Sequence, residues 1–365
     1  TTIYVMESCD DMNKFMSRLC GLVAIALVPG AGMCADRGCF DMERWDAILA
    51  DVRTSATAAG VDADTIKATL RSPNFIPSIV RSDANQSEFK LTLDQYLGRM
   101  INQTRISNGQ KMRTVYPTML GRVESTYGVP AHVILAFWGL ESNYGAVKAR
   151  HQLTDAFLTL MYEGRRETFF KKQLLSLMKT ASKNKLDITD IHGSWAGAMG
   201  HFQFIPTTLE QYGADGNGDG KIDIIHSVGD AMFSAGNYLN KLGWDPSQRI
   251  VRRVTLPADF DLSLVDGKTR KNLTEWAAMG VTNPDGTPIP VADMAAGLVA
   301  DLRQDALQES ATTVDAASEY GTDTDIAPRP VIVAYLTYPN FYRIKKWNNS
   351  NWYAIAVATL ADELK

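Results

Sequence analysis

Glu141 is the residue best placed for acid–base chemistry in this sequence. It follows a run, 131–140, that is apolar except for His132. A helix of this composition is expected to be buried on every side. A carboxylate at its end loses hydration, which favours the protonated form and lets it donate a proton at neutral pH. From position alone, the alternative is a structural glutamate held by backbone or tyrosine partners.

A segment rich in small residues, 193–206, is the second chemical feature. Its glycines allow the backbone to approach a flat ligand closely. Ser194 and Gln203 offer donors and acceptors for hydroxyl or acetamido groups. The segment lacks the Lys-Ser/Thr ending of a phosphate-binding loop, so that kind of site is disfavoured.

The segment 215–220 has the spacing of a calcium-binding loop. Asp215, Asn217 and Asp219 place oxygen ligands at positions one, three and five. Glycine stands at position six, and Lys221 would contribute its backbone carbonyl at position seven. Position twelve is His226 rather than the bidentate glutamate, so the affinity of a calcium sensor is not expected. The alternative is a turn that binds no ion.

The elements that must position these residues are mainly helical. Apolar residues recur at three- and four-residue spacing in 45–52 and 93–101, which predicts a helical subdomain over 36–125. The chemical motifs fall in a core over 126–250, with one helix across 154–180. Alternation in 251–257 predicts a small β-rich subdomain over 251–339. Residues 301–330 lack periodicity and are predicted to be mobile, and a last helix is predicted at 352–364.

Four motifs, in the same order along the chain, resemble those of the type B lytic murein transglycosylases. They are the segment 137–145 around Glu141, the segments 193–206 and 215–220, and Asn340-Phe341 with Asn348-Asn349-Ser350. The family cleaves the β-1,4 bond between N-acetylmuramic acid and N-acetylglucosamine in peptidoglycan without water and leaves a 1,6-anhydro ring. The resemblance, over most of 40–365, implies an α+β, mainly α fold. A lysozyme-like catalytic core would be flanked by the helical and β-rich subdomains, with 340–365 returning to the helical part.

The resemblance also implies roles for single residues. Glu141 would be catalytic, and the sugar contacts would be Ser194, Gln203, Tyr238, Tyr96, Asn348 and Tyr353. Trp347 stands where the family usually has a tyrosine, a change that keeps stacking on a sugar but loses a hydroxyl hydrogen bond. The implied metal ligands are Asp215, Asn217, Asp219, Lys221 and a later acid, Asp230. The calcium ion would be structural, and catalysis would need no cofactor.

One carboxylate is enough for this reaction, whereas hydrolytic glycosidases normally need two, about 5–5.5 Å or roughly 6.5–9.5 Å apart. The candidates for a second carboxylate are Asp155, Glu163 and Glu167, but their polar helical setting predicts that they lie on a solvated face. We therefore expect Glu141 to protonate the leaving oxygen and then, as carboxylate, to deprotonate the sugar 6-hydroxyl as it attacks the anomeric carbon. The 2-acetamido group of the substrate would meet the positive charge between these steps.

Composition narrows the class of partner. The chain is 45% hydrophobic and 21% charged, which excludes disordered and collagen-like proteins. A net charge of -4 gives no reason to expect nucleic acid as the main partner, and the expected partner is the glycan strand of peptidoglycan.

The first 35 residues are interpreted as a signal segment with a possible upstream extension. A basic stretch, 12–18, precedes an apolar run, 19–28, that is about half of the roughly 20 residues a membrane-spanning helix needs. We therefore expect a periplasmic protein, peripheral to the membrane at most. Cys34 makes an outer-membrane lipoprotein the alternative. All 4 cysteines lie within 9–39, so no disulfide is expected in the body of the protein.

Two other functions remain open from the sequence. A true muramidase would use water and leave a reducing sugar. A non-catalytic, calcium-dependent wall-binding module would use the small-residue segment only to hold glycan. Neither the oligomeric state nor the choice between internal and terminal cleavage is predicted.

Overall fold

The computed structural model describes residues 40–84, 91–147, 149–303 and 332–365. The predicted signal segment, Cys34 and most of the predicted mobile stretch 301–330 lie outside the described residues. The described chain is mainly helical with small antiparallel sheets, which confirms the α+β, mainly α class. The domain boundaries stay a prediction. None of the described helices has the length and apolar character needed to cross a membrane.

The N-terminal part of the described chain is a layer of helices. They are α1 (Met42–Ala58), α2 (Ala63–Leu70), α3 (Pro77–Ala84), α4 (Leu93–Met100), α5 (Gln103–Val115) and α6 (Pro117–Tyr127). Four of them begin at side chains that accept a backbone N–H three residues later, namely Asp41, Asp62, Thr92 and Asn102. The buried stripe of α1 has the predicted helical spacing.

The central part begins with the buried helix α7 (Ala131–Ser142). It continues with β1 (His151–Gln152), α8 (Leu153–Glu163), α9 (Glu167–Asn184), β2 (His192–Gly193), α10 (Pro206–Tyr212) and α11 (Val228–Lys241). Every residue of α7 from Val133 to Ser142 is buried, as its composition predicts. The prediction of one helix across 154–180 is wrong, because Gly164 adopts φ +97° and ends α8.

A separate β unit follows the central helices. Its strands are β3 (Val251–Leu256), β4 (Lys271–Asn272), β5 (Ala295–Ala300) and β6 (Ile332–Thr337), and α12 is Leu273–Ala278. The strands are antiparallel in the order β3-β6-β5-β4. Trp276 fills the core of this unit and donates its indole N–H to the carbonyl of Ala296 at 2.9 Å.

The end of the chain returns from the sheet to the main core. It forms α13 (Pro339–Trp347) and α14 (Asn351–Glu363), one residue away at each end from the predicted last helix. Helix α14 packs against α7 and α4. This packing brings the C-terminal segment to the end of α7, where Glu141 lies.

Candidate active site

Glu141 lies in the last turn of α7 and its side chain is almost completely removed from solvent, with 6% of the residue exposed. The helix ends because Asn143 and Tyr144 both adopt left-handed backbone angles, φ +49° and +59°. Burial and the partial negative charge at a helix C-terminus both disfavour an ionised carboxylate. This position therefore suits a group that must hold a proton.

Two side chains of the C-terminal segment donate hydrogen bonds to the same oxygen of Glu141. The indole Nε1 of Trp347 lies 3.0 Å from Oε1, and the hydroxyl of Tyr353 lies 2.5 Å from Oε1. Hydrogen bonds donated to a carboxylate stabilise its charged form. The site therefore contains interactions that favour the acid and others that favour the conjugate base.

Trp347 is held in a cluster of aromatic rings beside Glu141. It is only 7% exposed, and its ring centroid lies 4.7 Å from that of Phe137, 5.1 Å from that of Phe204 and 5.1 Å from that of Tyr238. Trp347 has no hydroxyl group, but it is still a hydrogen-bond donor, and its stacking on a sugar stays a prediction. Its N–H supplies a hydrogen bond to the carboxylate. Sequence reasoning missed this role, although the unusual residue type at this position was its signal.

The segment 193–206 folds into a tight loop that is closed by its own hydrogen bonds. Ser194 and Ala198 are joined twice, through Ser194 N to Ala198 O at 2.8 Å and Ala198 N to Ser194 Oγ at 3.0 Å. A Cβ on Gly197 would lie 2.3 Å from the ring of Phe157, so only glycine fits there. The Ser194 hydroxyl thus braces the loop, and a role in sugar binding stays a prediction.

Gln203 is the strained residue of this loop. Its φ of +51° lies in the left-handed region, which costs a non-glycine residue free energy. Its amide Nε2 donates to the carbonyl of Gly200 at 2.9 Å. A side chain kept at a strained position, in the segment predicted to bind ligand, is consistent with a binding role.

The predicted aromatic contacts lie around the same end of α7. Burial, followed by the charge of Glu141, raises the pKa of Tyr96 on α4 to about 12. Tyr238 stacks on Tyr212 with ring centroids 4.4 Å apart, and burial raises its pKa to about 12. Both phenols therefore keep their protons at neutral pH. Asn348 is buried at the end of α13, directly after Trp347.

His201 is a second residue that sequence reasoning missed. Its Nδ1 accepts the indole N–H of Trp138 at 3.0 Å, and its carbonyl accepts the Ser142 hydroxyl at 2.6 Å. Burial, with a smaller contribution from His226, lowers the pKa of His201, so the ring is neutral at pH 7. These bonds connect the small-residue loop to the end of α7. The isolated histidine in the sequence gave no indication of them.

The carboxylates considered as a second catalytic group have other partners. Asp155 is buried, contrary to the predicted solvated face, and accepts hydrogen bonds from the backbone and side-chain nitrogens of Asn74, both at 3.0 Å. Glu163 pairs with Arg165, and Glu167 lies 3.9 Å from Arg44. Asp155 is therefore held by buried hydrogen bonds, whereas Glu163 and the half-exposed Glu167 lie beside arginines.

The loop 215–220 folds around its own backbone. The Asp215 carboxylate accepts the N–H groups of Gly218 and Gly220 at 2.6 and 2.8 Å, and Asp219 accepts that of Lys221 at 2.8 Å. Asn217 accepts the N–H of Asp219 at 2.9 Å. Across the described ranges, no group of three or more His, Cys, Asp or Glu side chains is placed to hold a metal ion.

Asp230 holds this loop by hydrogen bonds to its backbone. It is fully buried at the start of α11, and its Oδ1 accepts the N–H groups of Gly216 and Asn217 at 2.9 and 3.2 Å. Its Oδ2 accepts the N–H of Asp223 at 2.8 Å. Asp230 therefore anchors the loop on α11, and its role as a metal ligand stays a prediction.

Known proteins share this architecture. The family model described as "Transglycosylase SLT domain" matches residues 44–362. SltB3 from Pseudomonas aeruginosa, solved in complex with NAG-NAM-pentapeptide, has a TM-score of 0.76 at 36% identity and covers 88% of this chain and 79% of its own. The Escherichia coli lytic transglycosylase SLT35 in complex with calcium has a TM-score of 0.69 at 25% identity, covering 88% of this chain and 92% of its own.

A relative with a similar sequence belongs to the same class of protein. The chain is 29% identical over 269 residues to membrane-bound lytic murein transglycosylase B of Escherichia coli (strain K12), an alignment that covers 72% of this chain. It spans 64% of that relative, slightly under two thirds of its length. The family resemblance predicted from the four motifs and the lysozyme-like fold are confirmed. The chain belongs to the transglycosylase SLT domain family.

Proposed function

We propose that this protein is a lytic transglycosylase that cleaves the β-1,4 bond between N-acetylmuramic acid and N-acetylglucosamine in peptidoglycan. The observation that carries the proposal is the setting of Glu141: a buried carboxyl group at a helix C-terminus, with two donors on one oxygen. Membership of the family and the NAG-NAM-pentapeptide in the name of the SltB3 structure support this substrate.

In the first step Glu141 acts as general acid. Its carboxyl proton passes to the glycosidic oxygen while the bond from that oxygen to the anomeric carbon breaks. The 2-acetamido group of the muramic acid stabilises the positive charge on the anomeric carbon, so the protein needs no second carboxylate. The structural contacts of Asp155, Glu163 and Glu167 agree with this division of roles.

In the second step the Glu141 carboxylate acts as general base. It takes the proton of the muramic acid 6-hydroxyl, whose oxygen forms the new bond to the anomeric carbon and closes the 1,6-anhydro ring. The acid is regenerated and no water is consumed. Trp347 and Tyr353 stabilise the carboxylate between the two steps by their hydrogen bonds to Oε1.

The sugar contacts remain proposals. We assign Gln203 and Ser194 to the acetamido and hydroxyl groups. The further sugar contacts would be Tyr96, Tyr238, Asn348 and Tyr353. The high pKa values of Tyr96 and Tyr238 keep both as neutral donors over the working range of pH. Because the Ser194 hydroxyl oxygen already accepts the N–H of Ala198, we assign this hydroxyl as a hydrogen-bond donor to the sugar.

Mass spectrometry of the muropeptides from purified peptidoglycan tests the proposal. The wild type is expected to release 1,6-anhydro products. Glu141→Gln keeps the shape of the site but loses the acid, and turnover is expected to fall by about 10²–10⁴-fold while binding to peptidoglycan persists. Glu163→Gln, at a glutamate paired with Arg165, is the matched control and should remain active.

The same experiment separates the two rival functions. Products with reducing ends would identify a hydrolytic muramidase. Binding of insoluble peptidoglycan without any product would identify a wall-binding module. Full activity of Glu141→Gln would contradict the assigned role of Glu141 in any of these reactions.

We also propose that the loop 215–220 binds a structural calcium ion, as the calcium complex of SLT35 suggests. The donors would be the side-chain oxygens of Asp215, Asn217, Asp219 and Asp230 and the carbonyl of Lys221. Added Ca²⁺ should raise the melting temperature, and Asp219→Asn should remove that increase. Asp230→Asn should lower the free energy of unfolding by about 2–4 kcal/mol even in the presence of a chelator, because it breaks backbone contacts.

We propose export to the periplasm, where peptidoglycan is accessible. The signal-like composition of the first 35 residues supports this location, and the curated relative is named as membrane-bound. Cell fractionation of the full chain tests it, and recovery of the uncleaved protein from the cytoplasm would contradict it.

A further inference from the structure

Two hydrogen bonds meet at a single oxygen of Glu141, and their donors differ in kind. The Tyr353 hydroxyl lies 2.5 Å from Oε1, and the Trp347 indole nitrogen lies 3.0 Å from it. A hydroxyl group can reverse its role and accept a proton, whereas an indole N–H can only donate. The contact with Trp347 therefore fixes the direction of hydrogen bonding at Oε1.

We propose that Trp347 is a positioning residue that keeps Oε1 of Glu141 a permanent acceptor, so that Oε2 carries and receives the transferred proton. This inference rests on the proposed function. A proton on Oε1 would point at an N–H that cannot accept it, and the hydrogen bond would be lost. Oε2 thus gives its proton to the glycosidic oxygen and takes the proton of the 6-hydroxyl, while Oε1 keeps its two donors.

The packing of Trp347 makes it suitable for this role. Its ring touches Phe137 on α7 and Phe204 in the small-residue loop, with centroids 4.7 and 5.1 Å away. It also lies 5.1 Å from Tyr238 on α11. Rings on three different elements therefore fix the direction of the N–H. Because Phe137 is one turn before Glu141 on α7, the aromatic cluster fixes the orientation of the Trp347 N–H relative to the carboxylate.

The titratable groups that interact with the carboxyl group include Tyr353 on α14 and Tyr96 on α4, and Tyr96 in turn interacts electrostatically with Arg105 on α5. Burial and the charge of Glu141 raise the pKa of Tyr96 to about 12. Burial lowers the pKa of Arg105, but its guanidinium group stays charged throughout the pH range of the activity profile. A change in the pH profile after substitution of Trp347 therefore reports on the carboxyl group itself.

Trp347→Phe is the informative variant, because it removes the N–H and keeps an aromatic ring. We expect kcat to fall on the order of ten- to a hundredfold, as for loss of one hydrogen bond to a charged group, with KM within about threefold. The alkaline limb of the pH profile should move to higher pH, because the carboxylate loses a stabilising donor. A purely structural role would not move this limb.

Two other tryptophans provide matched controls. Trp276 donates its N–H to Ala296 inside the β unit. Trp244 is buried, and its indole nitrogen has no hydrogen-bond partner among the described residues. Trp276→Phe and Trp244→Phe should leave kcat and the alkaline limb unchanged. Unchanged kcat and pH profile in folded Trp347→Phe, or the same changes in the controls, would overturn the proposal.

NMR of the wild type tests the contact without any variant. Among the 7 indole N–H signals, that of Trp347 is identified by its proximity to the rings of Phe137 and Phe204. We expect its proton shift to follow pH along the curve of the alkaline limb, while the Trp276 signal stays constant. A Trp347 signal that does not titrate would overturn the proposal. This titration can be measured even in a protein without activity. A constant Trp347 signal would therefore reject only the role of Trp347, whereas absence of anhydro products would reject the proposed function.

Discussion

Opposing influences meet on the carboxyl group of Glu141. Burial and the negative end of α7 favour the protonated acid, while the N–H of Trp347 and the hydroxyl of Tyr353 favour the carboxylate. A residue that is acid in one step and base in the next must reach both forms. The balance between loss of hydration and donated hydrogen bonds suits Glu141 to the two roles that we propose for it.

At the residue scale, Gln203→Gly separates stability from activity. Glycine adopts φ +51° without strain, a gain of about 1 kcal/mol that offsets the lost hydrogen bond to Gly200. We expect the free energy of unfolding to change by less than about 1 kcal/mol and turnover of peptidoglycan to fall at least about tenfold. Urea unfolding and product release measure the two effects.

Lys185→Gly is the control for this substitution, because Lys185 has a similar φ of +55° at the end of α9. It should be neutral or stabilising and leave turnover unchanged. Wild-type turnover in Gln203→Gly would show that the side chain has no part in binding or catalysis.

The sequence predicted some of the residues of this site and missed others for a physical reason. Glu141 could be found because an apolar run ending in a carboxylate is visible locally. The role of Trp347 could not, because the direction of an indole N–H depends on packing against distant elements. The same holds for Asp155, whose partner Asn74 lies in another part of the chain.

At the element scale, the break between α8 and α9 shows where periodicity fails. Apolar spacing continues through 154–180, but Gly164 is left-handed, and the following Arg165 and Arg166 both pair with the buried Asp83 of α3. Local sequence contains the glycine as a weak signal. It contains nothing that shows which carboxylate the arginines bind.

The N-terminus of α2 gives a prediction for acid stability. A hydrogen bond from Ser182 on α9, then one from the backbone of Thr65, lowers the pKa of Asp62 from 3.8 to about 2. A carboxyl group with a depressed folded pKa stabilises the fold above its unfolded pKa, and this contribution is lost as the pH falls through the folded pKa. The melting temperature of the wild type should therefore fall more steeply between about pH 4 and about pH 2 than that of Asp62→Asn, which keeps a capping side chain. Asp64→Asn, two residues later, should retain the wild-type slope, and equal slopes in all three proteins would contradict the prediction.

At the scale of the whole molecule, the active site closes only when the chain returns from the β unit. Trp347 and Tyr353 follow Glu141 by 206 and 212 residues. The motifs around Asn340 and Asn348 suggested this return through family resemblance. Periodicity alone could not place the last helices against α7, because that contact depends on tertiary packing rather than on local pattern.

Asn340 fixes the point of return and gives a prediction for global stability. It is fully buried, donates to the carbonyls of Asp245 and Gln248 at 2.7 and 3.0 Å, and accepts the N–H of Asp245 at 3.0 Å. Asn340→Ala leaves these backbone groups unpaired, and we expect urea unfolding to show a loss of about 2–4 kcal/mol. Asn272→Ala removes only the cap of the short α12 and should cost about 1 kcal/mol. Equal losses in the two variants would contradict this role of Asn340.

The isotopic composition of the products gives the most direct test of the claim that one carboxylate cleaves the bond without water. Purified peptidoglycan is digested by the wild type in water enriched in ¹⁸O, and the released muropeptides are weighed by mass spectrometry. The mechanism predicts 1,6-anhydro ends that contain no ¹⁸O, because the 6-hydroxyl of the sugar supplies the new bond. Reducing ends that carry one ¹⁸O at the anomeric position would contradict it.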